Sequence, residues 1–287
     1  MKPRTPGFWL IVATVGLLAL LPMQALAGMS PEEVRAFKQY EAAAKQGDLV
    51  AQYSLGRCYD LGRGVAKDVV QAVTWYRKAA EQGYAEAQYN LGNYYSNGGG
   101  ATTSKVRATT SKVQAMSWYR KAADQGLAQA QYIMGWGYAS GWGVAKDQLQ
   151  SLRWYRMAAN QGHSTAQLNL GNSYYTGTPA LPQDFVQAAK WWRKTAELGN
   201  GEAQFKLGNC YAKGTGVSKD EIEAYAYWSI AGRFSDDARV SLAVLEKQMS
   251  AGKIAAGQKR TKELQKEIST KMAAKRAADI AARNAVK

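Results

Sequence analysis

Ser250 and Lys253 stand three residues apart. In that S-x-x-K spacing a lysine amine can take the proton of a serine hydroxyl, as in penicillin-recognising enzymes, but the S-D-N and K-T-G segments that complete such a site are absent from the chain. His163 is the sole histidine, which leaves no imidazole pair for a metal and one lone candidate for a triad. It follows Gly162 and is expected as an exposed turn residue. Gly98-Gly99-Gly100 and Gly214-Thr215-Gly216 look like phosphate loops in composition, yet they follow helical stretches rather than strands, and no G-K-[ST] occurs. No carboxylate pair or cluster of metal-ligating residues stands out, so no catalytic residue, metal or cofactor is assigned. Cys58 and Cys210 remain as thiols that could pair. The chemistry on offer is thin, and attention moves to the elements that carry it.

Those elements repeat. Trp75-Tyr-Arg-Lys-Ala-Ala-Glu-Gln-Gly83 returns at Trp118–Gly126, Trp154–Gly162 and Trp191–Gly199. A Leu-Gly or Met-Gly pair precedes each of these and a degenerate fifth copy that starts Tyr227-Trp228-Ser229-Ile230-Ala231, with its glycine at 56, 92, 135, 171 and 208. The spacing is 36 or 37 residues except between Gly92 and Gly135, where ATTSKVR is followed by ATTSKVQ, a seven-residue tandem duplication. Self-similarity at this period marks a solenoid, in which each unit buries its apolar face against its neighbours. Ala, Leu, Gly and Tyr recur at offsets 0, 4, 5 and 8, one face of a first helix. Gly62, Gly141 and Gly214 open short turns. Asp68, Ser111, Asp147, Asp184 and Asp220, each followed three residues later by Gln or Glu, read as N-caps of second helices. Each second helix ends at the nonapeptide glycine. The duplicated segment 101–114 is polar and β-branched, and is expected to bulge as a loop.

The pattern A…LG..Y..G.GV..D...A..WY.KAA..G, in register five times, resembles the Sel-one-like repeat, a relative of the tetratricopeptide repeat. The resemblance covers about residues 39–250. It implies an all-α, right-handed α-solenoid of five helix pairs that serves as an adaptor in multiprotein assemblies. The expected layout is a capping helix at 28–47, repeats at 48–83, 84–126, 127–162, 163–199 and 200–235, and a C-terminal cap with a basic helical tail at 236–287. Cys58 and Cys210 lie four repeats apart, too far for a disulfide when neighbouring helices stack roughly 8–10 Å apart.

The ends add location and charge. Residues 1–27 read as a cleaved signal peptide: Lys2 and Arg4, an apolar run Phe8–Leu21, then Ala25-Leu26-Ala27. That makes the protein exported, to a bacterial periplasm, and nucleic acid an unsuitable partner. The formal net charge is +15, and much of it sits in residues 251–287. Leu264, Ile268 and Met272 form a narrow apolar stripe there, suited to docking on the last repeat. Lys275, Arg276, Arg283 and Lys287 are candidates for contact with an anionic polymer or lipid.

In tetratricopeptide arrays the inner surface is lined by first-helix residues at −3, +1 and +4 from the glycine. Carried over by the resemblance, these are Tyr53, Arg57 and Asp60; Tyr89, Asn93 and Ser96; Tyr132, Trp136 and Ala139; Leu168, Asn172 and Tyr175; and Phe205, Asn209 and Ala212. Aromatics at −3 suit interface anchors, and the Asn row resembles residues that grip a peptide backbone. The expected function is a non-enzymatic adaptor holding a protein segment. The alternatives are binding of peptidoglycan or an acidic exopolysaccharide and, weakest, a β-lactamase-like hydrolase.

Overall fold

The computed structural model describes residues 29–98, 105–179 and 181–285, so the leader at 1–27 lies outside the described residues. The described part holds thirteen helices. Helix α1 (Pro31–Lys45) comes first. Five pairs follow: α2 (Leu49–Leu61) with α3 (Val69–Glu81), α4 (Ala85–Ser96) with α5 (Lys105–Asp124), α6 (Ala128–Ser140) with α7 (Gln148–Asn160), α8 (Ser164–Thr176) with α9 (Phe185–Ala196), and α10 (Gly201–Lys213) with α11 (Glu221–Ala231). Helices α12 (Asp236–Glu246) and α13 (Ala251–Ala285) close the chain. The fold is an all-α repeat solenoid. It divides into two compact units between Trp75 and Tyr76.

In the second unit the repeat is held by a glycine that receives a ring. A methyl group on Gly135 would lie 2.6 Å from the Tyr155 ring, and on Gly171 or Gly208 2.6 Å from the Trp192 or Trp228 ring. On Gly92 it would lie 2.7 Å from Tyr119. Offset 5 of the first-helix pattern is therefore glycine so that the second aromatic of the nonapeptide can lie on bare backbone. Helix-turn glycines do a related job between repeats. Gly143, at φ +70°, sits so close to the Lys112 carbonyl that a methyl would approach it to 2.5 Å. In the first unit Gly64 meets the Glu33 carbonyl of α1 in the same way, so α1 occupies the place of a second helix.

Buried glutamines tie each first helix to the helix before it. The Nε2 groups of Gln88, Gln131, Gln167 and Gln204 donate to the carbonyls of Ala80, Ala123, Ala159 and Ala196 at 3.0, 3.2, 3.0 and 3.1 Å. In the first unit Gln52 donates to the Ala44 carbonyl at 3.5 Å. Two of these glutamines are then capped by the glutamine that precedes the final glycine of the nonapeptide. Gln125 donates to Gln88 Oε1 at 2.8 Å, and Gln161 to Gln131 Oε1 at 2.7 Å. In the next two repeats the capping position holds Leu198 and Phe234. The Oε1 atoms of Gln167 and Gln204 are buried with no partner among the described residues.

Local chemistry sets the helix ends. Ser30 and Glu33 form a reciprocal capping box on α1. Asp147, Asp184 and Asp220 accept from the backbone three residues on, and Asp68 does so from Gln71. The loop expected over 101–114 is not what the structure shows. Helix α5 begins at Lys105, so Ser111 is buried inside it rather than at its N-cap. The helix starts at Lys105 in the first copy and runs through the whole second copy, and Lys105, Arg107, Ala108 and Lys112 favour helical backbone. Residues 101–104 lie outside the described part.

At the C-terminus α13 lies against α11. Leu264 and Ile268 are buried with Trp192, Ala196, Tyr227 and Ile230, and Met272 packs at the edge of that cluster. Two such side chains stabilise the docking by about 1.5–3 kcal/mol each. Gly257 permits it, since a methyl there would lie 2.6 Å from the Tyr225 ring. Arg260 holds Glu223 at 2.6 Å and Glu267 at 2.7 Å, and Lys271 reaches Glu197 at 2.7 Å. Lys275 donates to the Gly162 carbonyl at 3.3 Å, so the helix runs back past the last repeat.

The broken glutamine pair gives a direct test. Leu198→Gln supplies the donor that Gln167 Oε1 lacks, and thermal unfolding should shift upward by about 2–4 °C for a gain of about 1 kcal/mol. Leu198→Glu, which offers no N–H donor, should not reproduce the gain.

Candidate functional site

Two cavities in the second unit open at equivalent register positions of the first helices. The larger, about 350 Å³, lies between α8 and α10 and is lined by Asn172, Tyr175, Thr176, Trp192, Lys206, Asn209, Cys210, Lys213 and Thr215. The other, about 270 Å³, lies between α4 and α6 and is lined by Ser96, Tyr119, Tyr132, Ile133, Trp136 and Trp142. In the first unit a cavity of about 260 Å³ between α1 and α2 includes Tyr40, Arg57 and Arg63. Six residues from the −3, +1 and +4 positions thus line cavities in the second unit: Asn172, Tyr175, Asn209, Ser96, Tyr132 and Trp136.

Their roles are not uniform. Trp136 and Tyr175 are exposed, at 40% and 39%. Trp136 leans on Trp142 at 5.5 Å, and Tyr175 on Trp192 at 5.3 Å. The −3 aromatics are half-buried and pack inward. Tyr89 meets Tyr119 at 5.7 Å, Tyr132 meets Tyr155 at 5.9 Å, and Phe205 packs on the cluster around Trp228. Leu168 is buried in the core. The Asn row serves the interior with one end. Tyr119 Oη donates to Asn93 Oδ1 at 2.8 Å, and the Nε1 groups of Trp192 and Trp228 donate to Asn172 and Asn209 Oδ1 at 3.1 Å. Burial pushes the Tyr119 phenol up to about 12, which keeps it a donor. In the first unit the Arg57 guanidinium lies 5.9 Å from the Tyr53 ring centre.

Sequence reasoning missed Lys206 and Lys213, at −2 and +5 from Gly208. The signal was present, because those positions hold Asn90 and Asn97, Ile133 and Ser140, or Asn169 and Thr176 in the preceding repeats. Lys206 pairs loosely with Glu202 at 3.5 Å and stands 5.5 Å from the Trp192 ring centre. No acidic residue lines that cavity.

The reactive-looking residues of the sequence are occupied structurally. Lys253 Nζ is held by Glu221 at 2.7 Å, and Ser250 Oγ accepts from the Lys253 backbone N–H at 3.4 Å. The two side chains of the S-x-x-K spacing therefore do not form a nucleophile and base. Cys58 and Cys210 are buried free thiols, and burial pushes Cys210 up to about 11. His163 is not an exposed turn residue. It is the N-cap of α8, its Nδ1 accepts from Ala166 N–H at 3.3 Å, and its ring stacks on Tyr132 at 4.6 Å. Of the tail cations, Lys275 is spent on the Gly162 carbonyl while Arg276 is exposed. The Arg283 side chain and Lys287 lie outside the described part. Among the described residues no group of three His, Cys, Asp or Glu could hold a metal, and no helix is long and apolar enough to cross a membrane.

The Sel1 repeat family matches residues 18–48, 49–84, 85–127, 128–163, 164–200 and 201–233. A Sel1 repeat protein of Oxalobacter formigenes is 36% identical over 71% of this chain and 84% of its own, with a TM-score of 0.61. A protective antigen of uropathogenic Escherichia coli with an SLR fold is 27% identical, with a TM-score of 0.54. That match covers 85% of this chain and 58% of the antigen. No curated protein matches significantly.

His163 yields a pH prediction. Burial, aided by the Lys275 ammonium, lowers its proton affinity below the ordinary imidazole value. Below about pH 6.5 the unfolded chain takes up a proton that the folded chain resists. Stability is therefore greatest above that pH and declines as pH falls. His163→Asn keeps a capping side chain, as Asn200 does for α10, and removes the titration. Melting curves at pH 7.5 and 5.5 should differ less for the variant than for the parent chain.

Proposed function

Because the chain belongs to the Sel1 repeat family, whose members generally bind protein partners, we propose that it is a non-enzymatic adaptor of the bacterial cell envelope. It is exported through residues 1–27 and holds a protein segment along the first-helix surface. The observation that carries the reading is the pair of cavities at matching register positions, one walled by aromatics and one by lysines and asparagines. Rigid aromatics with exposed faces, such as Trp136 and Tyr175, provide contact area at low entropic cost. The Oδ1 atoms of Asn172 and Asn209 are fixed by tryptophan donors, which orients their amide groups at the cavity wall.

The second reading, an envelope polymer with acidic groups, draws on α13. Lys259, Lys262 and Lys266 are exposed on that helix, beside Arg276. Cations near an anionic surface bind in a salt-dependent way.

Cross-linking in cells followed by pull-down separates the two. With Trp136→Ala and Tyr175→Ala combined, partner capture should fall at least tenfold while melting changes little, since both side chains are exposed. Undiminished capture by that folded variant would remove the groove assignment. Retention on peptidoglycan or acidic polysaccharide that vanishes with salt, and with Lys259→Gln, Lys262→Gln and Lys266→Gln combined with truncation after Met272, would favour the polymer.

A further inference from the structure

The two first-helix cavities described in the second unit differ in chemistry. The cavity between α4 and α6 is walled by Tyr119, Tyr132, Ile133, Trp136 and Trp142, and Ser96 is its one residue outside the aromatic and aliphatic set. The cavity between α8 and α10 carries Lys206 and Lys213 with no acid on its wall. Lys213 is exposed. Both cavities use first-helix positions of the same register, so they open on the same side of successive repeats. They are two repeats apart. A segment that reaches both must therefore run along the first-helix surface in extended form.

We infer that the surface reads a bipartite protein segment: an apolar, preferably aromatic, side chain in the Trp136 cavity and a carboxylate at Lys206 and Lys213, at one constant separation along the segment. The inference rests on the adaptor reading and deepens it by naming what the segment must carry. An apolar side chain entering the first cavity displaces water from aromatic walls. A carboxylate entering the second meets two ammonium groups and the amides of Asn172 and Asn209, whose orientation is already set. Glu202 offsets Lys206 only partly, being mostly solvent-facing at 3.5 Å. The stacking of repeats holds the separation: Gln167 on α8 donates to the Ala159 carbonyl at the end of α7, which ties the helix walling the second cavity to the repeat that carries α6 of the first. Charge complementarity selects an acidic segment over a basic one, and the two-repeat gap selects the register.

A library of random twelve-residue peptides, selected at low salt against the immobilised full chain, tests this. Enriched sequences should share an aromatic or branched apolar residue and an Asp or Glu at one constant separation. A synthetic peptide with the enriched sequence should lose about tenfold in affinity on Trp136→Ala, and about tenfold on Lys206→Gln with Lys213→Gln. Only the lysine pair should alter the salt dependence. Melting curves of the variants should match the parent. Peptides that bind and compete for the groove without a spaced acid, or with the acid at variable distance, would overturn the bipartite rule and leave the adaptor reading standing. Failure to enrich any peptide, with retention on acidic polysaccharide instead, would overturn both.

Discussion

A helix that lacks one side chain sets the rest of the structure. At Gly92, Gly135, Gly171 and Gly208 the first helix leaves bare backbone, and the second aromatic of the nonapeptide lies on it. The contact is too close for any Cβ, so the glycine and the ring must be kept together. That is the physical reason for spelling one segment again and again: each copy needs its own ring for its own glycine. A glycine inside a helix costs roughly 0.5–1 kcal/mol relative to alanine, and burial of a Tyr or Trp ring offsets it. Alanines at the other close positions, such as Ala130, Ala166 and Ala203, are fully buried and let the layers approach.

Once the helices of a pair lie this close, their polar backbone ends must be satisfied inside the stack. The buried glutamines do this, crossing from each first helix to a carbonyl at the end of the preceding helix. Where the chain departs from its own pattern, the interior shows it. Leu198 and Phe234 leave two glutamine oxygens without partners among the described residues, in the same stretch where α13 takes over the closing of the core. Packing is thereby turned inward in every repeat, and what remains on the first-helix surface is a set of exposed rings, amide ends and lysines. Function, on this account, is what the repeat does not consume.

Much of this was legible in the sequence. The period, the capping aspartates and the glycine turns depend on local chemistry, which a sequence carries explicitly. The all-α solenoid followed from them. Other features depend on which atoms meet, and were not read. Ala-Gln recurs at 51–52, 87–88, 130–131, 166–167 and 203–204, yet a lone Gln on a helix gives no hint that its amide reaches a carbonyl eight residues earlier. The Asn row looked like a free binding feature, because nothing in its spacing shows that Trp192 and Trp228 hold its oxygens. His163 looked like a turn residue because its cap and its Tyr132 partner come from tertiary contacts. The duplicated segment was taken for a loop on composition, whereas continuation of α5 decides its conformation. Lys206 and Lys213 fall outside the family's groove positions and stand out only as deviations of this chain from its own repeat.

The central claim is that the glycine–ring contact is the constraint on which the repeats depend, and one denaturation experiment addresses it. Gly135→Ala places a methyl 2.6 Å from the Tyr155 ring, whereas Gly252→Ala in α13 meets open space. Equilibrium unfolding should show Gly135→Ala destabilised by about 1–3 kcal/mol, the range for overpacking a tight core. Gly252→Ala should be unchanged or slightly more stable. If both substitutions stabilise the chain alike, as helix propensity alone would dictate, the ring is not seated on the glycine and the account of the repeat is wrong.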